Sequence, residues 1–400
     1  KAAAAPPAGS RQTLVSLWFE ILIIRRQGRL HSQMPPKAAA APPPADADAG
    51  PAAPEQVQRL GTGAKQMRAK YTCNPKYDPV ADCFCVRFSP DDAYLAASFA
   101  NGAIHIYNAD NGKQEYVLNS TAGKEGVAAP LPTTQLRWRP NTTQSKTKSV
   151  LISVNAEFDG QILHWHIKSG KCLHTITERG NQLFCLDYFH DGSQFATAGR
   201  DRFVRVYDEA TKRLVQTLQG GDQKSTAGHS NRVFSLKYHP EHPNIILSGG
   251  WDNTVQIWDT RRGHSVASIW NCYLCGDSVD FSSDGKYVLT GSWRTENALQ
   301  LWDFGSCELV ENVEWNTKES AATCMLFSAQ FSKDPSSAMI VAGGSQENEA
   351  KFFVRGAEKA EPFGALINLP KPVFSCDFSP NGRSAAVGCA DGQVRVLEIR

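Results

Sequence analysis

Three short runs decide the fold, and all lie between residues 232 and 259: Arg232-Val-Phe-Ser-Leu-Lys-Tyr-His-Pro240, Ile245-Ile-Leu-Ser-Gly-Gly-Trp-Asp252 and Val255-Gln-Ile-Trp-Asp259. Each run is rich in β-branched and aromatic residues and is bounded by residues that favour turns, so each predicts a β-strand. A small sheet of this kind cannot bury both of its faces alone. The unit must therefore pack against others of the same kind.

The same unit recurs from Asp82 to the end of the chain. Equivalent positions in the third strand of each copy carry a large side chain, and they are Tyr107, Trp165, Tyr207, Trp258, Trp302, Phe353 and Leu397. Successive positions lie roughly 40–60 residues apart, which fits one four-stranded blade plus loop insertions. The sequence predicts an all-β chain, a seven-bladed β-propeller.

The repeat resembles that of the WD-repeat β-propeller family of eukaryotes, over about Lys65–Arg400. Gly228-His229 before a strand and Trp258-Asp259 at the end of another match the family's motif in one copy. The resemblance implies that His229, Ser248, Asp252 and Trp258 form a hydrogen-bonded tetrad that stiffens this blade. Other copies depart from the motif, because they lack Gly-His and often have Tyr or Phe in place of Trp.

Closure of the ring is also predicted. The last copy stops at Ile399–Arg400, after its third strand. An open propeller would expose unpaired strand edges. The run Lys65–Thr72, just before the first copy, is therefore predicted to supply the missing outer strand, so that an N-terminal strand closes the ring.

The first sixty residues differ in composition from the rest. They hold 14 Ala and 9 of the 22 Pro, a composition that predicts a disordered tail over residues 1–60, before a propeller domain over 61–400. Lys-Ala-Ala-Ala-Ala-Pro-Pro occurs at both 1–7 and 37–43, and Met34 precedes the second copy. We hypothesise that Met34 is the true start and that residues 1–33 are absent from the mature protein.

Charge and cysteine content bound the class of partner and the compartment. The chain has 42 Lys plus Arg against 40 Asp plus Glu, which argues against a general electrostatic grip on nucleic acid or on a membrane. No nucleic-acid partner and no membrane span are expected. The 11 Cys are odd in number and scattered, which favours a reducing, cytoplasmic location over a disulfide framework.

Motifs that suggest chemistry fail on their spacing. Cys272-x-x-Cys275 is half of a metal site without a second pair. His164-Trp-His166 has no Cys or carboxylate near it in sequence, so both imidazoles are predicted at exposed strand positions. The run 220–226 lacks the glycines that a phosphate loop requires. We therefore expect no catalytic, metal or cofactor site, and a protein that is not an enzyme.

Two sets of equivalent positions are candidates for recognition. The residue before the turn acid is large in four consecutive copies and predicts a partner-binding patch on one rim, formed by Phe158, Arg200, Trp251 and Trp293 with Arg294. The innermost strand carries Phe in five copies, at Phe84, Phe184, Phe234, Phe327 and Phe374. These rings are expected at the central channel, where they either fill the axis or contact a ligand. Thr134 and Asp277 occupy this position in the other copies, and we expect Asp277→Ala to cost less stability than Asp252→Ala.

These features indicate a non-enzymatic scaffold that holds other proteins in a eukaryotic intracellular assembly, with cytoskeletal and ciliary assemblies among the candidates. Two alternatives stay open. Trp258-Asp259-Thr-Arg261 resembles the Trp-Asp-x-Arg box of propellers that act as substrate receptors of cullin–RING ubiquitin ligases. Alternatively, Phe and Trp at the channel mouth would cage a cation and read a modified or charged peptide.

Overall fold

The fold is seen in a computed structural model, which describes residues 54–61, 63–75, 81–118, 132–140, 149–221, 224, 226–316, 323–356 and 358–400. Residues 1–53 of the predicted tail, including Met34, lie outside the described residues. The described chain forms seven antiparallel sheets. The first strand of each sheet packs on that of the next, and the seventh packs on the first. The result is a closed ring of seven blades, as predicted.

The strands follow the chain in a regular order. Two strands precede the first blade, β1 (Gln56–Arg59) and β2 (Met67–Cys73), and a 3-10 turn lies at Ile167–Ser169. Blade one consists of β3 (Cys83–Phe88), β4 (Tyr94–Phe99), β5 (Ile104–Asn108) and β6 (Gln114–Leu118), and blade two consists of β7 (Thr133–Trp138), β8 (Val150–Asn155), β9 (Gly160–His166) and β10 (Lys171–Glu178). Blade three consists of β11 (Leu183–Tyr188), β12 (Gln194–Gly199), β13 (Val204–Asp208) and β14 (Leu214–Leu218), and blade four consists of β15 (Val233–Tyr238), β16 (Ile245–Gly250), β17 (Thr254–Asp259) and β18 (His264–Trp270). Blade five consists of β19 (Val279–Phe281), β20 (Tyr287–Gly291), β21 (Leu299–Asp303) and β22 (Leu309–Asn312). Blade six contains β23 (Cys324–Phe331), β24 (Met339–Gln346), β25 (Ala350–Arg355) and β26 (Ala360–Ile367). Blade seven contains β27 (Val373–Phe378), β28 (Ser384–Cys389) and β29 (Val394–Ile399).

The third strands carry the large side chains that revealed the repeat. All seven positions fall in the third strand of their blade, from Tyr107 in β5 to Leu397 in β29. These side chains are buried between blades, and Trp258 is fully buried in a cluster that joins blades three and four. The spacing of the repeat therefore reflects one buried anchor in each blade.

The N-terminal side of the chain closes the ring. Strand β2 pairs antiparallel with β29, from Met67 opposite Ile399 to Cys73 opposite Val394. Gln66 and Arg400 exchange both backbone hydrogen bonds, at 3.0 and 2.9 Å. Blade seven thus gains its fourth strand from residues 67–73, and the closure predicted from Lys65–Thr72 is confirmed.

A second N-terminal strand lies within the range predicted as tail. Strand β1 pairs with β26, from Gln56 opposite Ile367 to Arg59 opposite Gly364, and makes blade six five-stranded. The tail boundary at residue 60 came from composition averaged over sixty residues. The run 54–60 contains one Pro and no Ala, and the edge of β26 satisfies its backbone donors and acceptors. Residues 56–59, within the predicted tail, therefore form part of blade six.

A β-bulge recurs in the inner strands and positions the channel side chains. In blade four the register skips from Val233 to Ser235, so Phe234 is the extra residue. The same skip occurs in five other blades, at Phe84, Thr134, Phe184, Phe327 and Phe374. A bulge turns its extra residue away from the pleat. This is how one position reaches the axis in six of the seven repeats.

Candidate interaction site

The predicted channel residues meet at the axis. All five Phe rings, with Thr134, line one axial cavity. The rings of Phe184 and Phe234 stack with centroids 4.8 Å apart, and those of Phe327 and Phe374 meet edge-on at 5.2 Å. Phe184, Phe234 and Phe327 are at most 7% exposed. The structure shows these rings packed on one another.

A charged layer lies next to the aromatic layer along the axis. It is formed by the residue three positions after each channel residue, and its members are Arg87, Arg137, Asp187, Lys237, Asp280, Gln330 and Asp377. The layer is charge-balanced, with Lys237 bound to Asp280 at 3.0 Å. Sequence reasoning missed it, although the signal is present: a charged residue follows the channel position at a fixed distance in six of seven copies.

Asp277 joins the two layers across the channel. It stands where five other blades have Phe, and its carboxylate accepts two hydrogen bonds from Nη2 of Arg137, at 3.0 and 2.9 Å. It also pairs with Nη2 of Arg87. Arg87 and Arg137 belong to blades one and two, and all three side chains are at most 9% exposed. Because of these contacts, there is no reason to expect that Asp277→Ala costs less stability than Asp252→Ala.

Trp251 is mostly buried on the rim that carries the turns between second and third strands, here called the upper rim. Its indole lies 4.7 Å from the ring of Phe234, and its Nε1 donates to the Cys275 sulfur at 3.2 Å. The Arg232 guanidinium lies 5.3 Å from the indole centre. With 9% exposure, Trp251 packs with the channel rings and offers little free surface.

Trp293 and Arg294 lie at the junction of blades four, five and six. Nε1 of Trp293 donates to the Ser345 hydroxyl at 3.3 Å. The Arg294 guanidinium donates to the carbonyl of Asn271 at 2.7 Å and to that of Asn297 at 2.6 Å. Burial lowers the pKa of Arg294. Both side chains are half-buried and are held by neighbouring blades.

Phe158 and Arg200 are exposed, on blades two and three. Phe158 is 60% exposed, and Arg200 is exposed directly before the turn acid Asp201. The structure therefore divides the predicted patch. Trp251 and Trp293 belong to the aromatic cluster at the channel mouth, whereas Phe158 and Arg200 point to solvent.

Trp270 is a candidate interaction residue that the sequence analysis missed. It ends the outer strand β18 and is 63% exposed. The next residue, Asn271, accepts the hydrogen bond from Arg294, and Tyr273 stacks on Trp251 at 6.4 Å. We call Trp270, Tyr273, Trp293 and Arg294 the blade 4–5 rim surface. The sequence signal that could have found this residue is a Trp at the end of an outer strand, where no blade core needs a large side chain.

The four predicted tetrad residues form one hydrogen-bonded chain. His229 Nδ1 lies 2.7 Å from Asp252 Oδ2, and its Nε2 lies 2.6 Å from the Ser248 hydroxyl. Nε1 of Trp258 donates to the same hydroxyl at 2.7 Å. Burial alone would raise the pKa of Asp252, but its hydrogen bonds with His229, Ser230 and Thr254 lower it. The chain ties the turn at Asp252 to the core of blade four.

Blade three builds an equivalent network around a carboxylate. Glu178 accepts hydrogen bonds from the Thr197 hydroxyl at 2.5 Å and from the Tyr207 hydroxyl at 2.9 Å. Arg205 lies 2.9 Å from the same carboxylate and also pairs with Asp201. A buried acid thus takes the place that His229 has in blade four. The departure from the motif changes the chemistry of the network without removing it.

His164 corrects one prediction. It is 1% exposed rather than exposed, and its Nε2 lies 3.3 Å from the carboxylate of Glu209. Tyr188 and Lys212 contact the same carboxylate. Burial would raise the pKa of Glu209, but His164 and Lys212 lower it to about 2. Glu209 comes from the next blade, so its proximity could not be read along the sequence.

The remaining candidate motifs have structural surroundings. Arg261, of the possible ligase box, lies on the opposite rim, is 69% exposed and pairs with Asp259 through two hydrogen bonds of 3.0 and 2.7 Å. Cys272 is buried 3.9 Å from the Thr290 hydroxyl, and burial raises its pKa to about 12. Among the described residues, no group of three or more His, Cys, Asp or Glu could hold a metal ion. Within the same part of the chain, no helix is long and apolar enough to cross a membrane.

Comparison with known proteins agrees with this architecture. The family described as WD domain, G-beta repeat, matches residues 72–108, 170–208, 220–259, 260–303 and 367–397. The serine-threonine kinase receptor-associated protein of Dictyostelium discoideum is 24% identical, over 82% of this chain and 99% of its own length. Its human counterpart is 22% identical over 82% and 81%, and the COMPASS component SWD3 of Saccharomyces cerevisiae is 23% identical over 56% and 65%. With seven closed blades and five matched repeats, the chain belongs to the WD-repeat β-propeller family.

Proposed function

We propose that this protein is a non-enzymatic scaffold that binds other proteins of a multi-subunit assembly through the blade 4–5 rim surface. The observation that carries the proposal is Trp270, a tryptophan 63% exposed beside the anchored Arg294. Trp and Arg are the side chains most enriched among residues that dominate protein interfaces. Exposed apolar surface rimmed by polar residues is typical of a binding site.

The rim surface is also rigid, which favours binding. Arg294 and Trp293 are held by hydrogen bonds to neighbouring segments, and the tetrad fixes the adjacent turn at Asp252. A surface that is ordered before binding loses less conformational entropy when the partner arrives. Phe158 and Arg200 extend the surface to blades two and three in this proposal.

The relatives support a role in assemblies. One kind is named as receptor-associated and another as a component of COMPASS, so both names describe proteins that act with others. The eleven cysteines of this chain are unpaired thiols, which supports the reducing cytoplasm as its compartment. Cytoskeletal and ciliary assemblies, named from the sequence, are to be tested through the partners recovered.

The test combines partner recovery with thermal stability. Full-length protein and the variant Trp270→Ala with Arg294→Ala would be purified from eukaryotic cells with their partners, which are identified by mass spectrometry. Leu173→Ala is the matched control, because Leu173 is 53% exposed on the outer strand of blade two. Lost partners with unchanged melting support the proposal. Full recovery of all partners by the double variant would refute it.

A substrate receptor of a cullin–RING ubiquitin ligase is the second candidate. The observation that favours it is the exposure of Arg261 at the opposite rim, although its guanidinium is already paired with Asp259. Arg261→Ala should abolish co-purification of a ligase adaptor while the rim partners are retained. An adaptor recovered equally with Arg261→Ala would exclude this box as its site. Peptide reading at the channel receives less support, because the Phe rings pack on one another.

A further inference from the structure

The outer strand of blade six is buried, unlike its counterparts. Outer strands of other blades expose apolar side chains, such as Val215 in blade three at 57% and Val310 in blade five at 52%. In β26, by contrast, Phe363 and Leu366 are at most 4% exposed. Strand β1 covers this edge, so blade six presents its outer strand as a docking site for a further strand.

An acid just before β1 binds the next blade. The Glu55 carboxylate accepts a hydrogen bond of 2.7 Å from Nε of Arg395, a side chain that is 3% exposed. Arg395 also pairs with Asp391, as Arg205 pairs with Asp201 in blade three. Glu55 therefore fills, for blade seven, the place that Glu178 fills for blade three.

Further contacts hold both ends of the segment. The amide of Asn368 donates to the carbonyl of Pro54 at 3.1 Å, and the backbone N–H of Leu60 donates to the carbonyl of Phe363 at 3.0 Å. Gly61 then turns the chain with φ of 68°. Backbone pairing, an acidic anchor and a half-buried Val57 are thus the elements of recognition.

The attachment is shallow. Strand β1 has four residues, and three of them are exposed. Segments with few buried apolar contacts open at a small fraction of the free energy of global unfolding. The edge of β26 that β1 covers is part of the core of blades six and seven, because Phe363 and Leu366 pack into that core. Opening would therefore expose a well-formed strand edge on a ring that stays folded.

We propose that the outer edge of blade six is a docking site for an extended peptide strand with an acidic residue just before its ladder. Residues 54–60 occupy this site in cis, and a partner segment of the same chemistry can displace them. Strand addition supplies affinity through backbone hydrogen bonds and specificity through alternate side chains. Here specificity comes from Arg395 and from the position opposite Leu366. The site is separate from the blade 4–5 rim surface.

Hydrogen exchange on the full chain tests the cis contact. In Glu55→Lys, a second cation faces Arg395, and the amides of Gly364–Ile367 that face β1 should exchange about fivefold to tenfold faster, as loss of a partly exposed charged hydrogen bond implies. Gln58→Ala is the control on the same strand, and its exchange should match the parent. Val57→Asp removes the apolar anchor and should accelerate exchange in the same amides.

A labelled peptide with the sequence of residues 54–60 tests docking in trans. It should bind full-length Glu55→Lys at least about fivefold more tightly than the parent, whose edge is occupied. The same peptide with Lys in place of Glu should bind neither protein. Unchanged exchange in both Glu55→Lys and Val57→Asp, or equal binding of the two peptides, would overturn the proposal. Loss of rim partners in these variants would instead concern the proposed function.

Discussion

Replacing Asp277 by Ala is the sharpest test of how the ring is held together. Asp277 extends from blade five to arginines of blades one and two, and Arg87 and Arg137 are 5% and 8% exposed. Its removal leaves those cations buried without their shared carboxylate. Breaking a buried pair by removing one partner costs about 3–5 kcal/mol.

The lower end of that range applies here. Arg137 keeps a second carboxylate, Asp187, at 3.0 Å, and Nη1 of Arg87 donates to two backbone carbonyls. We therefore expect a loss of about 3 kcal/mol. The unfolding entropy of a ring of about 350 residues is roughly 0.7 kcal/mol/K. The expected decrease in melting temperature is therefore about 4 °C.

The assay is thermal and denaturant unfolding of matched variants. Asp284→Ala is the control, because Asp284 lies in an exposed turn of the same blade with 43% of its side chain accessible. Its melting temperature should stay within about 1 °C of the parent. Replacing Asp277 by Leu together with Arg87 by Met should recover part of the loss, since apolar groups of similar volume can replace a buried pair. An Asp277→Ala ring as stable as the Asp284→Ala ring would refute the reasoning.

Three further outcomes are expected. Because the pKa of Glu209 falls from 4.5 to about 2 on folding, the stability that this carboxylate contributes is present above pH 4.5 and is lost as the pH falls toward 2. Glu209→Gln should therefore be less stable than the parent at pH 7 and should lose less stability on acidification. Parallel urea titrations of both proteins at pH 7 and pH 3 check this. A chain lacking residues 1–53 should have the same melting temperature as the full chain. A chain lacking residues 1–75 loses β1 and β2, so it should have a lower melting temperature and expose two strand edges. Equal melting temperatures for the two truncated chains would contradict the closure. Trp251→Ala should cost about 3 kcal/mol, because the indole packs at the channel mouth; an unchanged denaturation midpoint would show that this packing is dispensable.

The repeat made the blades and the closure predictable. Each blade carries its own strand pattern, and a large residue in its third strand is buried between blades, as Trp258 illustrates. The fourth strand of blade seven was predicted from residues 65–72, and β2 supplies it. Strand β1 was not predictable in this way, because it has four residues and pairs with a strand some three hundred residues further along.

The site was only partly predictable. Alignment of copies grouped the channel residues that line one axial cavity, because the recurring bulge turns the same position to the axis in six of the seven copies. Alignment gives position and not accessibility, so it did not distinguish the buried Trp251 from the exposed Phe158. The partner carboxylates Glu209 and Glu55 reach their sites from another blade or from the terminus. The spacing of residues along the sequence does not predict such contacts.

The polar networks explain how blades with a degenerate motif remain coupled. In blades three and four the group that ties the turn to the core precedes the blade's inner strand: Glu178 ends the outer strand of blade two, and His229 lies in the connection from blade three. Each network therefore links two consecutive blades. Blade seven breaks this rule, because Arg395 takes its second acid from Glu55, ahead of the first blade. The N-terminal segment thus completes the ring twice, once in the backbone ladder through β2 and once in the side-chain network through Glu55. Loss of the second contact alone should loosen the edge of blade six while the ladder of blade seven stays intact.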